Sequence, residues 1–355
     1  DEKLFGLHYG AFIIEAKGAI EGAELIGETV SDYTITAGDV KLDIADLEKK
    51  YDAVLEPIFK NSLPEMPRPV SVAYDKGCDL LTNKAPGTIA KPKVLIPVFP
   101  GTNCEYDMAA AFNRYGGEAE IFVIRNLSAK NMEDSVNEFA KRIEDSQMIA
   151  VPGGFSGGDE PEGSAKFINA FFRNPKIKDA VENMLYARDG LMIGICNGFQ
   201  ALIKLGLVPF GKIVPLSSES PTLTYNTIGR HQSQLALTKI CTNKSPWLMH
   251  CKVGEVYNIP ISHGEGRFVA SDEVIAKLIE NGQIATQYVD LNGEPTMDLA
   301  YNPNSSMCAI EGIISPDGRV LGKMGHTERI SSDTCVNVDG NKEQLLFKGG
   351  VDYFR

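Results

Sequence analysis

Apolar positions along the chain change character near residue 93. From Lys93 onward, short apolar runs alternate with segments of helical period. Val94-Leu-Ile-Pro-Val98, Ala119-Glu-Ile-Phe-Val-Ile124, Met148-Ile-Ala-Val151 and Leu191-Met-Ile-Gly-Ile195 read as buried strands, apolar on both faces. Between them, residues 103–114 and 132–144 carry the helical period, with Asn103 placed to cap the first and Gly116-Gly117 to end it. This alternation predicts an α/β fold, a mostly parallel open sheet flanked by helices. After residue 220 the runs become short strands separated by turns, which predicts an antiparallel extension of the sheet.

The first 62 residues follow another rule and predict a small α+β segment. Residues 10–16 and 23–30 read as strands, and Asp43 stands where it can cap a helix bearing Ile44, Leu47, Val54, Leu55 and Ile58 on one stripe. Residues 63–92 hold Pro64, Pro67, Pro69, Pro86 and Pro92 with little periodicity, as a linker lying on a surface would. The expected organisation is therefore 1–62 as a separate segment, 63–92 as linker, 93–335 as the main domain and 336–355 as a C-terminal tail.

A formal net charge of −12 argues against a nucleic-acid partner, because such proteins concentrate basic charge. No apolar run has the length of a membrane span, and no signal peptide opens the chain. The seven cysteines are scattered, with neither paired CxxC spacing nor a Cys/His cluster in sequence, so no disulfide framework and no metal site is expected. A reducing cytoplasm suits that usage. The chain opens on Asp1 in mid-pattern, and the expectation is a C-terminal fragment of a longer polypeptide.

The sharpest chemical signal is Gly194-Ile-Cys196-Asn-Gly198-Phe-Gln200, set between a buried strand and a helix. Small residues flanking a strand-to-helix turn let a nucleophile project from its tip. The helix N-terminus there offers backbone N–H groups and a positive dipole, both favouring thiolate. A cysteine nucleophile needs a base, and two His-x-Glu pairs are available: His263-Gly-Glu265 and His326-Thr-Glu328. His8, His231 and His250 lack such a neighbour and read as ordinary surface or structural residues. Val151-Pro-Gly-Gly-Phe-Ser-Gly-Gly-Asp159 is a glycine-rich loop after a strand, suited to donate backbone N–H groups to an oxyanion. It lacks the Gly-Lys-Ser/Thr ending of a nucleotide-binding P-loop.

These motifs resemble the class I glutamine amidotransferases, with their Gly-x-Cys-x-Gly elbow, upstream Gly-Gly loop and downstream His-x-Glu. Pro100-Gly-Thr-Asn-Cys104, Pro152-Gly-Gly-Phe-Ser156 and Ser262-His-Gly-Glu-Gly-Arg267 narrow the resemblance to the glutaminase domain of the phosphoribosylformylglycinamidine synthases. The likeness covers roughly residues 93–332, and residues 1–60 look like the end of the synthetase portion of a large fused form.

The resemblance implies glutamine hydrolysis through a Cys196 thioester, with His326 and Glu328 completing the triad. Gly153, Gly154 and Asn197 would then supply oxyanion donors, Gln200 would lie near bound glutamine, and His263, Glu265 and Arg267 would form a pocket or interface loop. It implies no cofactor in this chain, and ATP with Mg2+ in a synthetase portion that receives the ammonia for purine biosynthesis. The sequence 157–163 departs from the family's more usual Tyr-Gly-Asp-containing loop. Cys104 belongs to a family motif but has no base beside it in sequence, and reads as structural. Another α/β cysteine hydrolase, or a non-catalytic module on this fold, stays open as an alternative.

Overall fold

The computed structural model describes residues 6–60, 63–64, 66–82, 89–156 and 164–355. The departing loop 157–163 and Pro86 lie outside them. The chain divides into two compact units, Asp1–Asn61 and Ser62–Arg355.

In the first unit, β1 (Thr34–Ala37) and β2 (Val40–Asp43) form an antiparallel hairpin. Asp43 then caps α1 (Ile44–Leu55), its carboxylate accepting from the N–H groups of Ala45 and Asp46. The apolar stripe of α1 stays exposed at Tyr51, Val54 and Leu55, and the helix buries no residue. The strands expected over 10–16 and 23–30 do not form. Among the described residues neither run has a ladder partner, and an apolar run without one gains nothing from extending.

The second unit is built on a nine-stranded sheet. β3 (Lys93–Val98), β4 (Glu118–Val123), β5 (Met148–Val151) and β6 (Leu191–Ile195) are parallel, and β13 (Val320–Lys323) pairs parallel to β6. Beyond β13 the order continues through β12 (Ile310–Ile314), β11 (Ile284–Tyr288), β8 (Gln232–Ile240) and β9 (Val256–His263), all antiparallel to their neighbours. A separate two-stranded antiparallel sheet pairs β7 (Thr222–Thr224) with β10 (Arg267–Val269). β3, β5, β6 and β13 are buried almost throughout, as unbroken apolar runs predict, whereas the edge strand β4 buries only Phe122 and exposes Glu118 and Val123.

Helices α2 (Glu105–Arg114), α3 (Ala129–Asp145), α4 (Lys166–Phe172), α5 (Pro175–Glu182) and α6 (Asn197–Leu205) follow the early strands, and α7 (Asp272–Glu280) and α8 (Leu346–Asp352) come later. Ser128 caps α3 through the N–H of Asn131. The expected cap of α2 by Asn103 does not occur. Cys104 holds the N-cap position, and its thiol donates to Asn103 Oδ1 at 3.1 Å.

The segment expected as a linker is pinned to the second unit. Tyr74 exchanges backbone hydrogen bonds with Cys241 and Asn243, and Val72 is buried with its N–H on Gln287 Oε1 at 2.9 Å. Nor is 336–355 a loose tail. It ends in α8, whose Leu346, Phe347 and Val351 are buried, with Phe347 edge-on to Phe112 at a 4.9 Å centroid separation.

Candidate active site

β6 and β13 lie side by side in register, with Gly194 opposite Gly322 and Ile195 opposite Lys323. Their C-terminal ends therefore open at one edge of the sheet, one leading into Cys196 and the other into His326.

Cys196 occupies a left-handed backbone conformation, φ 53° and ψ −107°, between β6 and α6. That turn is possible because its flanks are glycines. A Cβ on Gly194 would stand 2.7 Å from the backbone of Gly198, and one on Gly198 would overlap the carbonyl oxygen of Val151. The backbone N–H of Cys196 donates to Lys323 O at 2.9 Å, which ties the elbow to β13. Its thiol points to Ser262 O at 3.7 Å.

His326 and Glu328 are fully buried, with His326 Nδ1 and Glu328 Oε1 2.6 Å apart. Burial alone would hold the imidazole neutral. The Glu328 carboxylate and the nearby Cys196 sulfur outweigh it and raise the His326 pKa well above the ordinary value. Among the described residues His326 Nε2 has no hydrogen-bond partner.

His263 is the reverse case. Burial first, then the charges of His326 and His231, push its pKa down to about 3, and neither ring nitrogen has a hydrogen-bond partner among the described residues. A group held that low is neutral at any working pH. Of the two His-x-Glu pairs, the second brings imidazole and carboxylate within hydrogen-bond distance, the arrangement that orients an imidazole.

The sign of the His263 shift makes a prediction. A depressed histidine contributes stability above its unfolded pKa near 6.5 and loses it as pH falls toward its folded value. Denaturant unfolding of the wild type should weaken between pH 6.5 and about 3, and His263→Gln should flatten that decline. An equally steep decline in the variant would contradict the assignment.

The remaining sequence-derived residues converge on the same place. A Cβ on Gly153 would come within 2.8 Å of His326 Cε1 and 3.4 Å of Cys196 Cβ, so this loop presses backbone directly against both groups. Gly154, Cys196, Gln200, His263 and Glu265 line one cavity of about 590 Å³. Ser156 N–H donates to Asn197 Oδ1, Asn197 Nδ2 to Gln200 Oε1 at 2.8 Å, and Gln200 Nε2 to the Glu265 carbonyl. This relay joins the glycine loop, the elbow helix and the 263–267 loop. Arg267, by contrast, pairs with Thr224 in the two-stranded β7–β10 sheet and is not among the cavity's lining residues.

The structure gives Cys104 neighbours that its local sequence does not show. It has no base beside it in sequence, yet its Sγ lies 4.0 Å from His326 Nδ1 and accepts from the Arg329 guanidinium at 3.0 Å. Cys104, His326 and Glu328 also bring three possible metal-ligand atoms within 4.8 Å of one another. The Arg329 guanidinium already donates to that sulfur at 3.0 Å, and His326 Nδ1 and Glu328 Oε1 stand 2.6 Å apart.

Sequence reasoning missed several residues. Tyr225, Arg230 and His231 line the cavity, with His231 Nε2 3.1 Å from Ser262 Oγ. Asn304 donates to Gly266 O at 2.7 Å, and Ser306 Oγ accepts from Phe268 N–H at 3.0 Å. The sequence signal for the latter was Asn302-Pro-Asn-Ser-Ser306, a polar stretch that is almost wholly buried.

A family described as the CobB/CobQ-like glutamine amidotransferase domain matches residues 91–354. The chain belongs to this family. The phosphoribosylformylglycinamidine synthase subunit PurQ of Chlorobium chlorochromatii is 34% identical to this amidotransferase over 262 residues, covering 71% of this chain and 93% of that protein. The subunit PurQ of Aquifex aeolicus is 33% identical over 249 residues, covering 70% and 95%. The solved structure of PurLQS from Thermotoga maritima superposes with a TM-score of 0.54 at 25% identity, over 75% of this chain and 100% of that one. The mixed sheet of this amidotransferase is the fold that its sequence pattern predicts. No helix among the described residues is long and apolar enough to cross a membrane.

Proposed function

We propose that this chain is the glutaminase part of a phosphoribosylformylglycinamidine synthase, releasing ammonia from glutamine for purine biosynthesis. One observation carries the reading: a left-handed Cys196 at a strand-to-helix turn, beside a buried His326–Glu328 pair and open to a cavity. The names of the relatives agree with it. Both are named as a subunit of that synthase, which supports a synthetase partner, fused or associated.

The reaction divides among this chain's residues. The Cys196 thiolate attacks the side-chain carbonyl carbon of glutamine, and the oxygen becomes an oxyanion facing backbone N–H groups of Gly153, Gly154 and Asn197. His326 gives its proton to the departing nitrogen, so the C–N bond breaks to leave ammonia and a glutamyl thioester. The imidazole then takes a proton from water, whose oxygen displaces the sulfur to give glutamate and return the thiolate. Glu328 holds the ring and stabilises its charge. Gln200, His263 and Glu265 belong to the wall around bound glutamine, and Arg267 to the loop behind it. ATP and Mg2+ would act in the synthetase portion, not in this chain. Residues 1–62 are the end of that portion, which gives the exposed stripe of α1 a surface to meet, and the work is done in the cytoplasm, where thiols stay reduced.

A glutamine-mimicking diazoketone should alkylate Cys196 alone, as mapped by mass spectrometry, and Cys196→Ala should abolish hydrolysis while the thermal transition is retained. An adduct on Cys104 or Cys251 with Cys196 untouched would overturn the reading.

A further inference from the structure

Beneath the proposed catalytic pair lie two buried charges that the reaction does not use. Lys323 and Glu311 have side chains 1% and 0% exposed, with Nζ and Oε1 3.5 Å apart. A buried ion pair of this kind is weak support for stability, because desolvation cancels most of its attraction and an apolar pair serves as well. What these two residues hold is therefore more telling than that they are paired.

They hold the peptide immediately before His326. The Gly325 N–H donates to Glu311 Oε1, and Lys323 Nζ donates to Gly325 O at 3.1 Å. The same ammonium reaches Thr327 Oγ1 at 2.9 Å, on the far side of His326, and Thr327 Oγ1 donates to Gln344 Oε1 at 2.9 Å. Glu311 Oε2 in turn accepts from Thr286 Oγ1 on β11. Meanwhile the Lys323 carbonyl accepts the N–H of Cys196 at 2.9 Å. One residue thus fastens the nucleophile through its backbone and the base's loop through its side chain.

We propose that Lys323 and Glu311 are positioning residues for the glutaminase reaction, clamping the Gly325–Thr327 segment so that the imidazole of His326 is held at a fixed distance from Cys196. The inference rests on the reading of Cys196, His326 and Glu328 as the triad. It adds a requirement: charges that touch neither substrate nor reacting atoms set the geometry of proton transfer.

The test uses the full chain carrying Glu311→Leu with Lys323→Met, which removes both charges at once and leaves neither unpaired. Three quantities are read: thermal stability, glutaminase kcat and KM, and the pH dependence of Cys196 alkylation by iodoacetamide. A misplacement of about 1 Å costs up to about 10²-fold in rate, so kcat should fall by about 10–100-fold while KM for glutamine stays near wild type. The alkylation profile should shift to higher pH, because a loosened imidazolium no longer sustains the thiolate in acid. Glu311→Gln, which keeps an acceptor for the Gly325 N–H, should recover part of kcat.

A folded double variant with wild-type kcat and an unmoved alkylation profile would overturn the clamp. So would a drop in stability and kcat together with no shift in the profile, the mark of a merely structural pair. Should the double variant not fold, Thr327→Val removes only the hydroxyl that the ammonium reaches, and the same shift is expected and the same absence decides. His326→Ala, measured in parallel, separates the two claims. If it leaves the alkylation profile intact, the triad reading falls and the clamp with it; if it erases the acid limb while the clamp variants keep it, only the clamp falls.

Discussion

His326→Ala should lower glutaminase turnover by about 10²–10⁴-fold, the usual cost of losing a positioned acid–base group. The loss should fall on both thioester formation and its hydrolysis, since one imidazole serves first as acid and then as base. The same variant should lose the alkylation of Cys196 that persists in acid, because the raised His326 keeps a positive charge beside the sulfur. Glu328→Gln should cost less, retaining an acceptor at 2.6 Å but not the charge. His263→Ala should leave the alkylation profile nearly unchanged, since that ring is already neutral. If the acid limb vanishes in His263→Ala and survives in His326→Ala, the two pairs must be exchanged. The raised histidine also has a stability consequence of opposite sign to that of His263. Its contribution is complete below the unfolded value near 6.5 and fades as pH rises through the folded pKa.

Gly198→Ala should be the most damaging single methyl in the chain's elbow. The new Cβ would overlap Val151 O, which belongs to a central strand and cannot swing aside as a side-chain tip would. Overpacking of a tight interior costs about 1–3 kcal/mol where neighbours can yield, and here the neighbour is backbone, so a loss at or beyond the upper end is expected. Thermal unfolding of the variant checks it, with Gly18→Ala as control, since nothing stands within 4 Å of the Cβ there. Equal midpoints for the two variants would refute the packing account of the Gly-x-Cys-x-Gly spacing.

The inner parallel strands were legible because both of their faces are covered, and strands covered that way leave unbroken apolar runs such as 94–98 and 191–195. Cys196 was legible because close packing demands glycine at 194 and 198, and that demand leaves a written trace. The N-terminal strands failed because apolar runs of the same length carry no record of whether a ladder partner exists. The surroundings of Cys104 were hidden for a different reason. Its neighbours His326 and Arg329 arrive from more than 200 positions away, and no local spacing encodes that meeting. Lys323 and Glu311 left no trace either, because a lysine near a strand end looks the same whether it is solvated or buried.

Cys196 and the segment leading to His326 leave adjacent parallel strands at the same edge, in a register set by backbone hydrogen bonds. The sheet's lattice thus fixes where the two strands end, and the Lys323 and Glu311 side chains hold the segment that carries His326 beyond that point. Sequence drift can lengthen the turns at the opposite edge, around 188–190 and 316–319, without sliding one strand past the other. A scaffold of this kind tolerates divergence in its connections while holding the two strand ends to the spacing of a ladder rung, and homologues at one-third identity can share one chemistry on those terms.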